Sequence, residues 1–522
     1  MNEEPYAHEN LVAKIEPNRN DPEASAGNSC STSISEESLA SQRSSNPIVA
    51  NDTQPIARWG IYLIEPLILI LLFAYNFSST ILKNQVIYQS CTAGLGYPDA
   101  VCLLLGTKNS TNETKKIEAE VQPYAARVML TIKLVECLVP AFCGLFAGAW
   151  ADLYGRKPLL MASFLGYSMQ YLISSIIAYL AMENQGMISP WLYILTIIPL
   201  SLMGSSVTYS VAAVCFIGDV SSGKMRSYRL IAYETSIYVG LLFGSFASGY
   251  VYEDLNSQSY IVFAISSVSI LVGLFLMVLF LPESLPTQPQ VARTSSPKSL
   301  IGLLKDMGRS CCKPREFKDR SIIILLMCIL LLTAFVADGS NSVFYLFMRA
   351  QFHWTVKEFT NYESVSILVP ALAGSGGMLF LWSLRKCTRN SAILWLAFIS
   401  LLSHVSSSLM RAFAFVDWQI YVAIGLGALK SLVNPMCRSA ITSLLPADER
   451  GKVFALLAVV QNLTPFVSSS VYTVIYSLTL SSAPSLFNLF TANFYGLAIA
   501  LLLVVWRLKS SQQSEHYDPV FK

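Results

Sequence analysis

Long apolar runs alternate with short polar segments along most of the chain of 522 residues. A run of about 17 to 25 apolar residues is long enough to cross a bilayer as an α-helix. The pattern predicts about twelve such helices in two sets of six, with boundaries good to about two to four residues. The first set covers residues 61–82, 124–150, 158–181, 190–217, 230–252 and 260–281. The second covers residues 322–348, 363–384, 392–413, 418–445, 453–478 and 486–506.

The same pattern divides the chain into five segments and predicts an all-α membrane protein. Residues 1–58 are rich in Ser, Asn, Glu and Pro and lack a basic stretch followed by an apolar one. We therefore expect a disordered cytosolic tail there and not a signal peptide. Residues 59–281 and 322–507 are expected to form two six-helix bundles. A polar linker, 282–321, joins them, and a short tail, 508–522, follows.

Basic residues in the loops predict how the helices are oriented. The basic loops all fall on one side of the predicted bundle, and so does the basic linker. Loops rich in Lys and Arg remain on the cytosolic side of a membrane, so both termini are expected to be cytosolic. The opposite loops are short except for residues 83–122. That segment carries the sequons "NST" at Asn109 and "NET" at Asn112, which are therefore candidate glycosylation sites.

Composition and cysteine spacing exclude several classes of protein. Charged residues are 13% of the chain, which is about half the fraction usual for a soluble domain. The net charge is +3 and there is no long basic run, so the sequence does not indicate nucleic-acid binding. No CxxC pair, His/Cys cluster, phosphate loop or nucleophile–base pair indicates a metal site, a cofactor or an enzyme. Cys91 and Cys102 flank a polar stretch in the long outer segment, where a disulfide is plausible; the spacing alone leaves their pairing open.

The most specific motif is "GAWADLYGRKPLL", between the second and third predicted helices. Glycines allow close helix approach and a turn conformation that a side chain would resist. The charged residues can bridge to neighbouring helices and release them when the two halves of a carrier move. The alternative is a basic loop without a special role. The residues of this turn are Gly148, Asp152, Gly155, Arg156 and Lys157.

This pattern, G-x-x-x-D-x-x-G-R-K, resembles the loop signature of the major facilitator superfamily, which twelve helices in two sets of six also fit. Within it the chain is most similar to the proton-coupled folate transporter family, over about residues 58–507. The stretches that carry the resemblance are "GAWADLYGRKPLLMASFLG", "GDVSSGKMRSYRLIAYETSIYVG", "LPES" and "NPMCRSAITSLLPADERGKVFALL". The resemblance implies a secondary transporter in which Glu234 couples protons and Arg438 takes part in substrate binding. It also implies that Asp152 and Arg156 serve the transport cycle.

The chain departs from the folate transporters at three places. One is the stretch "RAQFHWTVKEFTN", which has no cysteine, so that family's disulfide between the first and fourth outside loops cannot form as it does there. Ala337, followed by Asp338, stands where that family has a histidine, and Ser205 stands where it has an aspartate. These differences weaken the assignment of folate as the substrate more than the assignment of the chain as a transporter.

Two carboxylates inside predicted helices are candidates for proton coupling. A charge within a bilayer needs a partner, an aqueous cavity or a proton. Glu234 is expected to face a central cavity and to alternate between protonated and ionised forms. Its alternative role is an ion pair with Arg229 near the membrane surface. Asp338 is a candidate for a second proton site or for a partner of Lys430.

Cationic side chains in the tenth helix are candidates for binding an anionic substrate. Lys430, Asn434 and Arg438 are spaced four residues apart, which places them on one face of a continuous helix. Such a stripe would attract a carboxylate or phosphate, for which Arg is suited. In the second helix, Lys133 and Glu136 are three residues apart and are expected to pair, either as a structural or as a functional ion pair.

The sequence therefore predicts a secondary active transporter that moves a small organic anion with protons by alternating access. Its partners are the organic anion, protons and the lipid bilayer, in either the plasma membrane or the lysosomal membrane; no protein partner is identified. One alternative is an endolysosomal carrier of peptidoglycan fragments, cyclic dinucleotides or drug-like metabolites. An alternative of another class is a receptor or scaffold that uses a transporter fold without transporting.

Overall fold

The computed structural model describes residues 60–106, 112–284, 313, 318–384 and 391–517. Within these ranges all regular secondary structure is helical. The predicted tail 1–58 lies outside the described residues, and so do Asn109 and most of the predicted linker.

The helices of the first half follow one another in chain order, with the longest connection between the first two. They are α1 (Ile64–Gln89), α2 (Asn112–Tyr154), α3 (Arg156–Glu183), the two pieces α4a (Tyr193–Leu202) and α4b (Ser205–Val220), α5 (Gly223–Asp254) and α6 (Ser259–Phe280). The second half repeats this order. Its helices are α7 (Asp319–Phe352), α8 (Val356–Leu384), α9 (Ser391–Ala412), the two pieces α10a (Asp417–Leu426) and α10b (Val433–Leu444), α11 (Ala447–Thr479) and α12 (Leu486–Tyr517).

The described part of the chain contains nine helical spans that are long and apolar enough to cross a membrane. Helices α2, α8 and α11 are long enough to complete twelve, and each contains side chains that lie outside the description. All three contribute to the contact between the two halves, where polar side chains face one another and not lipid. The predicted set of twelve helices is therefore present.

Each half has its own apolar core, and a third core joins the halves. One core is built from α1, α3, α4b, α5 and α6, and a second from α7, α9, α10b, α11 and α12. The third contains residues of both halves, with many aromatic rings. It lies where α1 and α7 end and where α2 and α8 begin, which we call the outer end. The opposite end, which carries Gly60 and Tyr517, is the inner end.

Helices α1 and α5 pack closely because α5 presents small residues at every fourth position. A Cβ atom added to Gly240 would lie 2.7 Å from the carbonyl oxygen of Leu69, and one added to Gly244 would lie 2.4 Å from that of Phe73. One turn further, the Ser248 hydroxyl donates a hydrogen bond to the Phe77 carbonyl at 2.7 Å. Small residues at such positions let helix backbones approach inside a membrane, where apolar burial adds little.

The fourth helix of each half is interrupted, which the sequence pattern did not predict. Helix α4 breaks at Gly204, which has a φ of +80°. Helix α10 changes after Gly427 into a 3₁₀ segment, Ala428–Leu432, before α10b begins. Interruptions at corresponding positions of two repeats are typical of helices beside the substrate site of a transporter.

The segment between α1 and α2 covers the outer end. It forms a π-helical turn, Ser90–Gly94, and a short helix, Asp99–Cys102. The structure joins Cys91 and Cys102 in a disulfide with their Cα atoms 5.8 Å apart, which is the pairing that the sequence left open. The Tyr97 hydroxyl donates a hydrogen bond to the Glu120 carboxylate at 2.7 Å, and this bond raises the pKa of Tyr97. Asn112 begins α2, but its side chain is outside the description.

Candidate transport site

The two halves are held together at the outer end by polar contacts. Arg349 of α7 donates from Nε to the Glu118 carboxylate of α2 at 2.6 Å, and both side chains are buried. The Tyr476 hydroxyl donates to Gln122 at 2.7 Å.

A further ion pair joins Lys357 of α8 to Glu253 of α5 at 2.7 Å. Toward the inner end α5 is exposed instead, for example at Tyr228 and Ile231. The described hydrogen bonds and ion pairs between the halves lie at the outer end, so the cleft between the halves is closed there and opens toward the inner end.

A group of charged side chains lies at the closed end of this cleft. Lys133 and Glu136 form the predicted ion pair, with a Nζ–Oε2 distance of 3.0 Å. Lys133 also interacts electrostatically with Asp338 of α7, across the contact between the halves. Among the residues that the structure describes, no ion pair joins Asp338 to Lys430, the partner that the sequence suggested.

Glu363 of α8 belongs to the same group and was missed by the sequence analysis. Its carboxylate accepts a hydrogen bond from Ser245 of α5 at 2.8 Å and another from Thr80 of α1 at 3.4 Å. It also interacts electrostatically with Lys83 of α1. The only signal in the sequence was a carboxylate at the start of a predicted span. Its three partners come from the other half, so sequence spacing could not indicate them.

Glu234 of α5 is exposed. It precedes Ser245 by about three helical turns, so both residues point in the same direction. Ser245 contacts α8 at the outer end, which places Glu234 on the wall of the open cleft. The alternative pairing with Arg229 is wrong, because Arg229 is buried and pairs with Glu65 of α1 at 2.9 Å.

The polar stripe predicted on a continuous tenth helix is corrected by the structure. Lys430 lies in the 3₁₀ segment, whereas Asn434 and Arg438 lie in α10b and are exposed. Arg438 donates a hydrogen bond to Gln461 of α11 at 3.0 Å. The interruption removes the uniform helical spacing, so Lys430 occupies a separate position beside the break.

A second cation beside Lys430 was also missed. Arg411 of α9 interacts electrostatically with Lys430. Its guanidinium donates to the Ser407 hydroxyl at 3.2 Å and lies 5.6 Å from the centre of the Phe344 ring. Among the residues that the structure describes, no carboxylate forms an ion pair with either Lys430 or Arg411. Two like charges held near one another without an acidic partner favour the binding of an anion.

His404 of α9 is part of the packing around these cations. Its ring stacks on Tyr495 with centres 4.2 Å apart, and its Nε2 lies 3.1 Å from the carbonyl oxygen of Lys430. It therefore fixes the backbone of the 3₁₀ segment.

The turn between α2 and α3 is tied at the inner end to α4b and to the residues that follow α6. Gly155 has a φ of +107°, and a Cβ atom there would lie 2.4 Å from the Glu283 carboxylate. That carboxylate accepts hydrogen bonds from the backbone N–H groups of Arg156 and Lys157, at 2.9 and 3.1 Å. The Arg156 side chain pairs with Asp219, at the end of α4b, at 3.1 Å.

The motif thus connects helices of one half, as its charges suggested. The side chain of Asp152 and the surroundings of Gly148 are outside the described residues.

These features define a helical membrane carrier, and comparison with known proteins agrees. The model of the Major Facilitator Superfamily matches residues 125–469. The chain belongs to this superfamily, as the resemblance of its turn motif implied. Its family and fold are those of transporters and not of enzymes.

More specific relatives place the chain in the solute carrier 46 family. It is 63% identical, over the full length of both chains, to the "Probable peptidoglycan muropeptide transporter SLC46" of Drosophila melanogaster. It is 24% identical to the "Proton-coupled folate transporter" of Bos taurus, with 88% of this chain and 94% of the relative covered. A crystal structure of a D-xylose-proton symporter matches 87% of this chain and 98% of its own, with a TM-score of 0.57 and 13% identity, which supports the fold alone.

Proposed function

We propose that this transporter is a proton-coupled symporter for muropeptides, the acidic sugar–peptide fragments of peptidoglycan. The observation that carries the substrate class is the identity of 63% along the full length with a relative that bears this name. This favours the peptidoglycan alternative over folate, in line with Ala337 and Ser205 standing where folate transporters have a histidine and an aspartate.

Coupling to protons is supported by the charged group at the closed end of the cleft. Glu136, Asp338 and Glu363 lie there with two lysines, so the group holds three acids and two bases. Burying the extra carboxylate in its ionised form is costly, and protonation removes that cost. A proton taken up here, or at Glu234 on the cleft wall, would ease the transition through a closed state. In this proposal Glu234 and Asp338 keep the coupling roles that the sequence suggested.

Binding of the substrate carboxylate is supported by the cations of the second half. Lys430 and Arg411 have no acidic partner among the residues described, and Arg438 is exposed one helix turn beyond Asn434. A muropeptide carries carboxylates together with amides and hydroxyls. Lys430 and Arg411 would hold a carboxylate beside the break in α10, and Asn434 and Arg438 would contact polar groups nearer the inner end.

The test is uptake of radiolabelled muramyl dipeptide into proteoliposomes, with and without an imposed pH gradient. A gradient of one unit supplies about 1.4 kcal/mol per proton, which corresponds to about tenfold accumulation. We expect accumulation that follows the gradient, and we expect Glu234→Gln to reduce it at least tenfold. The matched control is Glu183→Gln, at an exposed position at the end of α3, which should accumulate as the native chain does.

Two results would contradict the proposal. Uptake that does not depend on the pH gradient would reject proton coupling. Binding of muramyl dipeptide without any flux in either direction would instead support a receptor on a transporter fold. Localisation of the tagged chain would then distinguish the plasma membrane from the lysosomal membrane.

A further inference from the structure

A cavity of about 420 Å³ lies at the outer end, on the far side of the closed contact from the cleft. Both halves form it. One wall comes from the end of α1 and the disulfide-bonded segment that follows, a second from the turn between α5 and α6, and a third from the turn between α7 and α8. The volume is within the range of about 300 to 1,000 Å³ that is usual for small-molecule sites.

The lining of this cavity combines amides, phenols and charges. Four amide side chains can each donate and accept hydrogen bonds, and three tyrosines supply flat apolar faces with a polar edge. Amides beside aromatic rings suit a solute that carries hydroxyl and N-acyl groups. The charged lining residues are Arg349, Lys357 and Glu253, and both cations are already paired, Lys357 with Glu253 and Arg349 with Glu118. The amides and rings suit an N-acylated sugar or sugar–peptide, and an acidic group on it can be held only where it takes the place of a carboxylate already paired there, such as Glu118.

Arg349 belongs both to the cavity and to the contact that closes the outer end. Its side chain is 3% exposed. It donates to Glu118 at 2.6 Å and to Asn84, and Asn84 in turn lines the cavity. A guanidinium can hold a carboxylate through two parallel hydrogen bonds. A carboxylate that reaches the floor of the cavity would therefore compete with Glu118 for the same donor groups.

The backbone around the cavity is held in uncommon conformations. Asn256 and Ser257, in the turn between α5 and α6, have φ values of +51° and +61°. Such values are uncommon outside glycine and occur often at ligand sites, where the surrounding structure imposes them. Gly106, with a φ of +70°, lies so close to Arg349 that a Cβ atom would be 2.5 Å from its guanidinium carbon. The chain thus uses a residue without a side chain to seat Arg349 beside the cavity.

We propose that the outer cavity is a docking site for the carboxylate of an acidic N-acylated sugar or sugar–peptide, which binds Arg349 in place of Glu118. Docking then weakens the ion pair that holds α2 to α7 and favours opening of the outer end. The chemical class rests in part on the proposed function, but the site is distinct from the cleft and from Lys430.

The experiment measures protection of a cysteine in the cavity by two sugars that differ by one acidic group. Gln258 lines the cavity, so Gln258→Cys is introduced into the full chain in lipid nanodiscs. The rate of maleimide labelling at this position is read by mass spectrometry of its peptide. N-acetylmuramic acid carries a lactyl carboxylate that N-acetylglucosamine lacks. Asn184→Cys, at an exposed site outside the cavity, is the control for general effects on labelling.

We expect N-acetylmuramic acid to slow labelling of Gln258→Cys and N-acetylglucosamine to have a much weaker effect. Adding Arg349→Gln should remove the difference between the sugars. Adding Glu118→Gln should lower the half-protecting concentration of N-acetylmuramic acid by about tenfold, because the competing charge is removed while a hydrogen-bond acceptor remains. A variant that had merely lost its structure would not bind more tightly.

Three results would each overturn the docking site. They are equal protection by both sugars, an unchanged half-protecting concentration of N-acetylmuramic acid in Glu118→Gln, and protection of Asn184→Cys equal to that of Gln258→Cys. These results are independent of the proposed function, which is measured as flux. Accumulation of muramyl dipeptide without protection at Gln258→Cys would reject the docking site alone. Protection without accumulation would reject the proposed function alone.

Discussion

Lys430 is a cation in the 3₁₀ segment of the tenth helix with no acidic partner among the described residues. If it holds the substrate carboxylate, Lys430→Gln should remove a charge-assisted hydrogen bond, which is worth about 1.5–3 kcal/mol. We expect the KM for muramyl dipeptide to rise by at least tenfold. Uptake kinetics in proteoliposomes measure the change. Lys115→Gln, at an exposed position near the start of α2, should leave the KM unchanged, and an equal rise in both variants would contradict the assignment.

Glu363 offers a separate test of coupling, because its hydrogen bonds and its charge can be removed independently. Glu363→Gln keeps an oxygen that can accept from Ser245 and Thr80 but cannot exchange a proton. We expect accumulation driven by a pH gradient to fall at least tenfold, while exchange of labelled for unlabelled substrate continues. Ser245→Ala removes one hydrogen bond and should reduce gradient-driven accumulation less. Loss of exchange as well as accumulation in Glu363→Gln would indicate a structural role.

At the residue scale, sequence reasoning succeeded where a partner lies nearby along one helix. Lys133 and Glu136 were identified because residues three apart share a helix face, and the pair forms at 3.0 Å. Glu363 was missed because its partners come from distant helices. The same limit explains Arg229, whose partner Glu65 is 164 positions away. Long-range charge pairing is a property of the packed bundle and is not encoded in local spacing.

Helices α1 and α5 provide a test at the scale of the element. A methyl group added at Gly244 would lie 2.4 Å from the Phe73 carbonyl oxygen, so the two backbones must separate. Overpacking of this kind costs about 1–3 kcal/mol, and we expect Gly244→Ala to lower the midpoint of thermal unfolding in detergent.

The control for this change is Gly496→Ala in α12, where an added Cβ atom meets nothing within 4 Å. Because Ala is favoured over Gly in helices by about 1 kcal/mol, this control should be neutral or stabilising. Equal destabilisation of both variants would show that the close approach of α1 and α5 is unimportant.

Hydropathy predicted the helices but not their interruptions. The runs that became α4 and α10 are apolar through Gly204 and Gly427, so a pattern of apolar residues continues across each break. The breaks arise from backbone geometry: Gly204 has a positive φ, and a Cβ atom at Gly427 would lie 2.9 Å from the Ser407 hydroxyl. Helix α2 also begins at Asn112, before the predicted start at residue 124, because its polar first turns lie outside the apolar run.

For the molecule as a whole, the sequence predicted two halves that move relative to one another, but it did not predict which end of the cleft between them is closed. The closed end is set by contacts between halves, such as Arg349 with Glu118 and Tyr476 with Gln122. Each of these pairs is separated by more than 200 positions in the chain. The carrier alternates between conformations, so a single sequence must also be compatible with a state in which these pairs are apart.

Alternating access requires the outer contacts to separate in every cycle, and this can be tested by joining them. Lys357 and Glu253 form an ion pair at 2.7 Å between α8 and α5. Cysteines at both positions can therefore be bridged by a bifunctional methanethiosulfonate. A spacer of about 10 Å is used because it spans a longer distance than a direct disulfide allows. We expect bridging of Glu253→Cys/Lys357→Cys to reduce muramyl dipeptide uptake to the level of empty liposomes, because the outer end can no longer open.

Reductant should restore uptake by releasing the spacer, and each single cysteine variant treated with the same reagent should transport before and after reduction. These controls distinguish the effect of the bridge from the effect of modifying a single cysteine and from the effect of reducing the Cys91–Cys102 disulfide. Retention of full uptake by the bridged chain would mean that α5 and α8 stay together throughout transport. The solute would then have to cross the outer end by a route that leaves this contact intact.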